Sequence, residues 1–342
     1  MRVGSYFSHC FTLYGMGIDR RSKKSQWLNR VCLLNMLLFS TYILVLIFYE
    51  RVSNYHKFQQ LYVISVYLIL SVYFNYNRTS MVNFLTHLES HLSLVDIKHL
   101  GKYMIFYLGY HWLLVIGNRV VYGIIFGHDI EREFVSWFPI LPKDTPIVLK
   151  YVLFYWCNVL YYDIVELFVS LMIFYYVYQV HVITVIKMNF LDQIKNKPMV
   201  INLWSKWRDV HEIERDFEEL YSILPLLRFS DTFMYTVTYL LRIIQKSWSD
   251  EISNYVIVKH LIVTLSTFYV VIVIDYSNKK LRRKMDTLLR FKPSQEMKDI
   301  LSDIDRNIEF RLTACGLFSL DKKLILGFVS SLVTFTVLFI QL

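Results

Sequence analysis

The last nineteen residues, 324–342, read LILGFVSSLVTFTVLFIQL and carry no charge. At ~1.5 Å per helical residue the run spans roughly 28 Å, close to the ~30 Å of bilayer hydrocarbon. Because it reaches the final residue, this end is expected to act within the bilayer, with no domain behind it. An amide without a partner is costly in lipid, so Gln341 is expected to face protein or water.

The rest of the chain repeats this pattern. Of its 342 residues 55% are hydrophobic, and mean hydropathy is +0.37. Soluble domains hold about 45–50% apolar residues, dispersed by amphipathic patterning. Here they come in blocks of about twenty, the length of a membrane helix. Seven blocks can be drawn, at 31–49, 59–76, 103–126, 152–180, 220–244, 256–275 and 324–342. The expected fold class is therefore an all-α integral membrane protein with seven transmembrane helices. One bundle accounts for the length and leaves no room for a large soluble domain. Apolar character around the fourth block persists from Ile147 to Ile186. It reads as one tilted helix projecting beyond the bilayer. Two helices are the competing reading, which would reverse the side of the C-terminus.

The net charge of +9 follows the loops rather than a nucleic-acid surface. Segments 1–30, 77–102, 187–219 and 276–323 hold 27 of the 37 Lys and Arg residues, whereas 50–58, 127–151 and 245–255 hold 6. Basic loops stay cytosolic, so the N-terminus is expected in the cytosol and the C-terminus outside. Lys279, Lys280, Arg282, Arg283 and Lys284 directly follow the sixth block, where the bias counts most. No cleaved leader is indicated, because the first apolar block is too long for one and lacks a small-residue cleavage site. Cys10, Cys32, Cys157 and Cys315 show no CxxC spacing, so neither a disulfide framework nor a cysteine zinc site is expected. The sequon Asn77-Arg78-Thr79 falls in a cytosolic loop and is expected to stay unglycosylated.

Two cytosolic connections carry helical periodicity. Residues 203–220 place Trp204, Trp207, Val210, His211, Ile213, Glu214 and Phe217 at roughly helical spacing, with charges between them. Residues 280–318 do the same with Leu281, Met285, Leu288 and Leu289, then Ile300, Ile304, Ile308 and Phe310, divided at Pro293. Helices lying on the lipid interface and a cytosolic platform joining subunits are both compatible with this pattern. Pro225 is expected to kink the fifth span, and the single GxxxG, Gly123 to Gly127, to mark close helix packing.

In the final block, Gly327, Thr334, Leu338 and Gln341 fall within about 60° of one another on a helix, flanked by Ser330 and Ser331. Phe328, Val333, Phe335, Phe339 and Ile340 form a bulky apolar side. Small residues let membrane helices pack closely. Alternatively, several copies about an axis would present rings of Leu338, a dewetting constriction, and of Gln341, a neutral polar ring.

The ending Leu312-Thr313-Ala314-Cys315-Gly316-Leu317-Phe318-Ser319-Leu320-Asp321, followed by Thr334-Phe335-Thr336-Val337-Leu338-Phe339-Ile340-Gln341-Leu342, resembles the C-terminal signature of insect gustatory receptors. In that family the last helix carries Thr-Tyr, five mainly hydrophobic residues, then Gln-Phe. Here Thr334 and Gln341 match in spacing, while Phe335 and Leu342 replace the tyrosine and the phenylalanine. The upstream cytosolic helix with His211 also fits.

The resemblance implies a ligand-gated, non-selective cation channel of four like or related subunits, in the plasma membrane of gustatory neurons, that responds to a small-molecule tastant such as a sugar or bitter compound. It implies no catalysis, cofactor or metal. Residues 1–30 would be a cytosolic segment, and 31–275 the first six helices with a ligand-binding outer half. Residues 276–323 would be cytosolic anchor helices, and 324–342 the pore helix, with Gln341, Leu338, Thr334, Ser331 and Gly327 along the pore.

Ionisable residues within spans are expensive and mark pairs or polar cavities. Arg119, Asp163, Glu166, Lys259 and His260, with the aromatics Trp156 and Tyr162, are the candidates for the outer ligand pocket. An ion pair from Arg119 to Asp163 or Glu166 is the structural alternative, and Arg228–Asp231 on the inner side reads as a structural pair. A G-protein-coupled receptor would also have seven spans, but with its N-terminus outside, against the charge bias. A transporter or membrane enzyme has little support. His87 and His91 share a helix face as zinc ligands do, yet no third ligand is evident.

Overall fold

The computed structural model describes residues 23–48, 54–126, 138, 141–142, 144–162, 168–196, 200–244, 250–290 and 295–341. Among these the backbone is helical: α1 (Lys23–Phe48), α2 (Asn54–Tyr76), α3 (Arg78–Ser90), α4 (Leu94–Phe126), α5 (Ile147–Tyr162), α6 (Phe168–Asn196), α7 (Val200–Tyr221), α8 (Ile223–Ile244), α9 (Asp250–Leu289), α10 (Gln295–Asn307) and α11 (Lys322–Gln341). The described residues contain no strand, only an isolated bridge between Thr313 and Ser319.

The chain divides into two compact units, one of Met1–Val82 and Ile105–Leu171, the other of Asn83–Met104 and Met172–Leu342. In the first, α1 packs on α2 and α5, and Phe39, Ile64, Tyr67, Leu70, Phe74 and Tyr107 are buried. Apolar residues such as Leu34, Leu38, Val72, Ile105 and Leu113 remain exposed on the outer faces of these helices. A membrane helix that meets protein on one side and lipid on the other shows this distribution.

The second unit is organised around α6. Every residue from Met172 to Val180 is buried. A helix apolar on all sides belongs in a core, which explains the long apolar run through the fourth block: it encodes α5 and the protein-enclosed α6. The described part of the block expected as one tilted helix falls in these two helices, and residues 163–167 between them lie outside the described residues.

Around α6, α7 turns its apolar face inward, burying Leu203, Trp207, Val210, Ile213 and Phe217 and leaving Trp204 and His211 exposed. α9 runs 40 residues without a break, about 60 Å, so the sixth apolar block continues directly into the basic segment after it. Leu281, Met285 and Leu288 are buried on that extension, as are Ile300, Ile304, Ile308 and Phe310 on and after α10. These apolar faces are thus covered by protein rather than lipid. α7 packs on α10 and α8, α9 on α10 and α8, and α11 on α8 and α9. Of the described helices, Ser170–Ile194 and Leu261–Leu289 are long and apolar enough to cross a bilayer by length and composition.

Pro225 does not kink a continuous span. α7 ends at Tyr221, Ser222 forms a turn, and α8 begins at Ile223. Pro225 sits in the first turn of α8, where a missing N–H breaks no intrahelical bond.

Candidate pore helix and its supporting helices

α11 starts at a built cap. The Asp321 carboxylate accepts hydrogen bonds from the backbone N–H groups of Lys323 (2.8 Å) and Leu324 (3.2 Å), satisfying donors that the first helical turn leaves free. One side of the helix is then fixed by aromatic packing. The ring of Phe328 is buried edge-on against Phe268 (centroids 5.3 Å apart) and Phe233 (5.6 Å), and Phe335 meets Phe233 at 5.5 Å. The bulky side expected as one face is therefore divided: Phe328 is buried, Phe335 touches Phe233 but stays 43% exposed, and Val333 is 57% exposed.

The polar stripe of α11 faces away from this packing. Gly327, Ser330, Ser331 and Thr334 are exposed, and Leu338 is 51% exposed. A Cβ placed on Gly327 would meet no heavy atom within 4 Å, so close packing within the chain does not account for its small size. Thr334 Oγ1 returns its proton to the Ser330 carbonyl at 3.0 Å, which lets a hydroxyl face an apolar or thinly hydrated space. Gln341 lies on α11, and its side chain falls outside the described residues.

The residues leading into α11 form a tight, pinned loop. Ala314 and Phe318 pair through their backbones (2.9 Å), as do Leu320 and Leu312 (2.9 Å). Cys315 and Gly316 turn the chain with positive φ values of 54° and 71°; the glycine adopts this freely, the cysteine at a cost. Leu312, Ala314 and Leu320 are buried. One Glu218 oxygen on α7 accepts from both the N–H of Thr313 (2.8 Å) and its hydroxyl. Burial pushes the Glu218 carboxyl up from its ordinary range, the Thr313 bonds oppose this, and the neighbouring Glu214 charge adds to it. Asn278 of α9 clasps the backbone of Phe310 on both sides, N–H to Oδ1 at 2.7 Å and Nδ2 to carbonyl at 3.2 Å.

Two buried charge clusters hold the helices beneath. Lys187 of α6, fully buried, meets Glu214 of α7 at 2.7 Å, donates to the Ile308 carbonyl at 2.9 Å, and lies 4.3 Å from the centre of the Phe310 ring. Burial lowers its amine from the usual lysine range, and the Glu214 carboxylate pulls it back. Arg228 and Asp231 of α8 form the expected pair at 3.6 Å. The guanidinium also donates to Thr267 Oγ1 and Ser266 Oγ of α9, each at 3.0 Å. Sequence reasoning found the Arg228 pair from its spacing of three. It missed Lys187, Glu218 and Asn278, whose partners lie far away along the chain.

The ligand candidates fare differently. Trp156 on α5 donates its indole N–H to Asn35 Oδ1 of α1 (3.1 Å) and stands edge-on to Phe39 (6.0 Å), so its polar atom is already used within the first unit. Arg119 lies on α4, Tyr162 on α5, and Lys259 and His260 on α9, with side chains outside the described residues. Asp163 and Glu166 also lie outside the described residues. His87 and His91 do meet, Nε2 to Nε2 at 3.4 Å. Among the described residues, no group of three or more His, Cys, Asp or Glu could hold a metal ion. Burial, and next the His87 charge, push the His91 imidazole down.

No family model matches the chain, and no curated protein matches it in sequence. Its fold is similar to that of the insect olfactory receptor OR5 from Machilis hrabei, solved in complex with eugenol. The likeness covers 98% of this chain and 96% of that chain, with a TM-score of 0.55 and 11% sequence identity. The chain therefore shares the fold of that insect olfactory receptor. At this identity the likeness is one of fold.

Proposed function

We propose that this chain is a gustatory receptor of the insect chemoreceptor superfamily, acting as a ligand-gated, non-selective cation channel in the plasma membrane of sensory neurons. Four such chains, identical or related, surround a pore lined by α11. This reading counts α5 and α6 as one interrupted span, which keeps seven crossings, and the Lys and Arg bias then puts the N-terminus in the cytosol and the C-terminus outside.

One observation carries this reading: the polar stripe of α11 is exposed on the side turned away from Phe328, which is buried against α8 and α9. A serine, threonine and glycine edge turned away from its own subunit is suited to a polar neighbour. A shared aqueous path provides one. The fold likeness and the Thr334 and Gln341 motif support the same assignment. The ligand is a small organic molecule bound in the outer half, as the eugenol in the olfactory receptor suggests for the class. Its binding energy opens the gate only so far as it favours the open arrangement. Leu338 rings the closed pore and leaves the axis on opening.

Expression of the chain alone, with patch recording during exposure to sugars and bitter compounds, tests the reading. Leu338→Ser is expected to raise basal current and replacement of Gln341 to alter ion selectivity. Unaltered gating and permeability in both variants would remove α11 from the pore.

A further inference from the structure

α9 carries an outward stripe that the channel reading leaves unused. Leu261, Leu265, Ile272 and Tyr276 are each more than half exposed. Lys279 and Arg283 continue the row, also exposed. The intervals of four, seven, four, three and four keep all six on one helix face. The apolar part, Leu261 to Tyr276, covers about 22 Å, most of a ~30 Å hydrocarbon layer, and the cations that follow fall at headgroup depth. Tyr276 stands between the two, where amphipathic rings settle at a membrane surface.

The charged end is not neutralised by the protein. Asp275 receives both Lys279 (2.9 Å) and Lys322 of α11 (3.1 Å). Among the described residues no ion pair engages Arg283, whose charge bears on Lys279. Two cations thus share one carboxylate while Arg283 adds a third charge beside Lys279, and the excess is positive. Clustered lysines and arginines just cytosolic of a membrane helix attract anionic lipids.

We infer that the outer face of α9 binds an anionic phospholipid of the inner leaflet, its phosphate held by Lys279, Arg283 and Lys322 and its acyl chain lying along Ile272 and Leu265. A soluble anion would meet only the cationic end; the continuous apolar stripe selects a lipid. Because Lys322 opens α11, the headgroup competes with Asp275 for the first turn of the pore helix. The inference rests on α9 crossing the membrane, as proposed above.

The test uses the full-length protein in vesicles of neutral phosphatidylcholine, with and without phosphatidylserine or a phosphoinositide. Lipid retained through purification and the rise in thermal midpoint are measured. Anionic vesicles are expected to raise the midpoint, and each of Arg283→Gln and Lys279→Gln to lower lipid affinity on the order of fivefold. The control Lys98→Gln/Lys102→Gln removes exposed cations elsewhere and is expected to change nothing. Among the described residues Arg283 makes no ion pair, so loss of binding by Arg283→Gln does not reflect the loss of one. Equal behaviour in neutral and anionic vesicles, undiminished binding by Arg283→Gln, or full competition by a soluble headgroup would overturn the inference. Alkaline carbonate extraction from neutral vesicles tests insertion separately: release there sinks the membrane reading itself.

Discussion

Lys187 has left water completely and is stabilised by one carboxylate, one carbonyl and one ring face. Removing one member of such a pair strands the other, at about 3–5 kcal/mol, whereas an apolar pair of similar volume can be neutral. Lys187→Met is therefore expected to destabilise strongly, and the added change Glu214→Leu to recover most of the loss, by thermal unfolding in detergent. Glu218 permits a finer distinction. Glu218→Gln keeps an acceptor for Thr313 and is expected to leave the loop in place, whereas Glu218→Ala strands the Thr313 donors at about 1–3 kcal/mol. Its carboxyl is raised in the fold, so its contribution is full below the unfolded value near 4.5. That contribution is lost as pH rises through the folded value. Glu218→Gln should flatten this part of the stability–pH curve. These residues were not legible in the sequence. Arg228 and Asp231 are three apart and announce themselves by helix geometry, but the partners of Lys187 are set by how three helices fold together.

Among the elements, α11 separates stability from function most cleanly. Phe328→Ala removes a ring buried among Phe229, Phe233 and Phe268 and is expected to cost about 3 kcal/mol. Asp321→Ala removes the cap, at about 1 kcal/mol. Thr334→Ala touches an exposed side chain and is expected to stay within about 0.5 kcal/mol in thermal unfolding, yet to alter conductance. The helical period of α11 was legible, because 3.6-residue spacing sorts its polar and apolar sides without reference to anything else. The division of the apolar side was not, since the sequence alone cannot distinguish a phenylalanine that meets Phe233 from a valine left exposed. The ambiguity in the fourth block has the same origin: hydropathy reports removal from water, and enclosure by protein removes α6 from water as well as lipid would.

For the whole molecule, the all-helical class was legible from blocks of apolar residues, because a bilayer imposes one length on every span. The extended helices between the apolar blocks were legible as amphipathic faces, though not what covers them; the burial of Leu281, Met285 and Ile304 supplies that. Sidedness rests on the distribution of Lys and Arg. Asn77 joins α2 to α3, where its Nδ2 donates to the Tyr73 carbonyl at 3.2 Å, and it is expected to carry no glycan when the protein is isolated from cells. A mass shift on glycosidase treatment, lost in Asn77→Gln, would place this junction outside and reverse the arrangement.

The central claim is that the polar edge of α11 borders a path for ions. Single cysteines placed along the helix, with current recorded during exposure to a charged thiol reagent, test it most directly. Modification of Ser331→Cys, Thr334→Cys and Leu338→Cys is expected to block ligand-evoked current, while Val329→Cys and Val333→Cys, on the exposed apolar flank, leave it intact. Equal block on both sides, or block at the valines alone, would contradict the assignment.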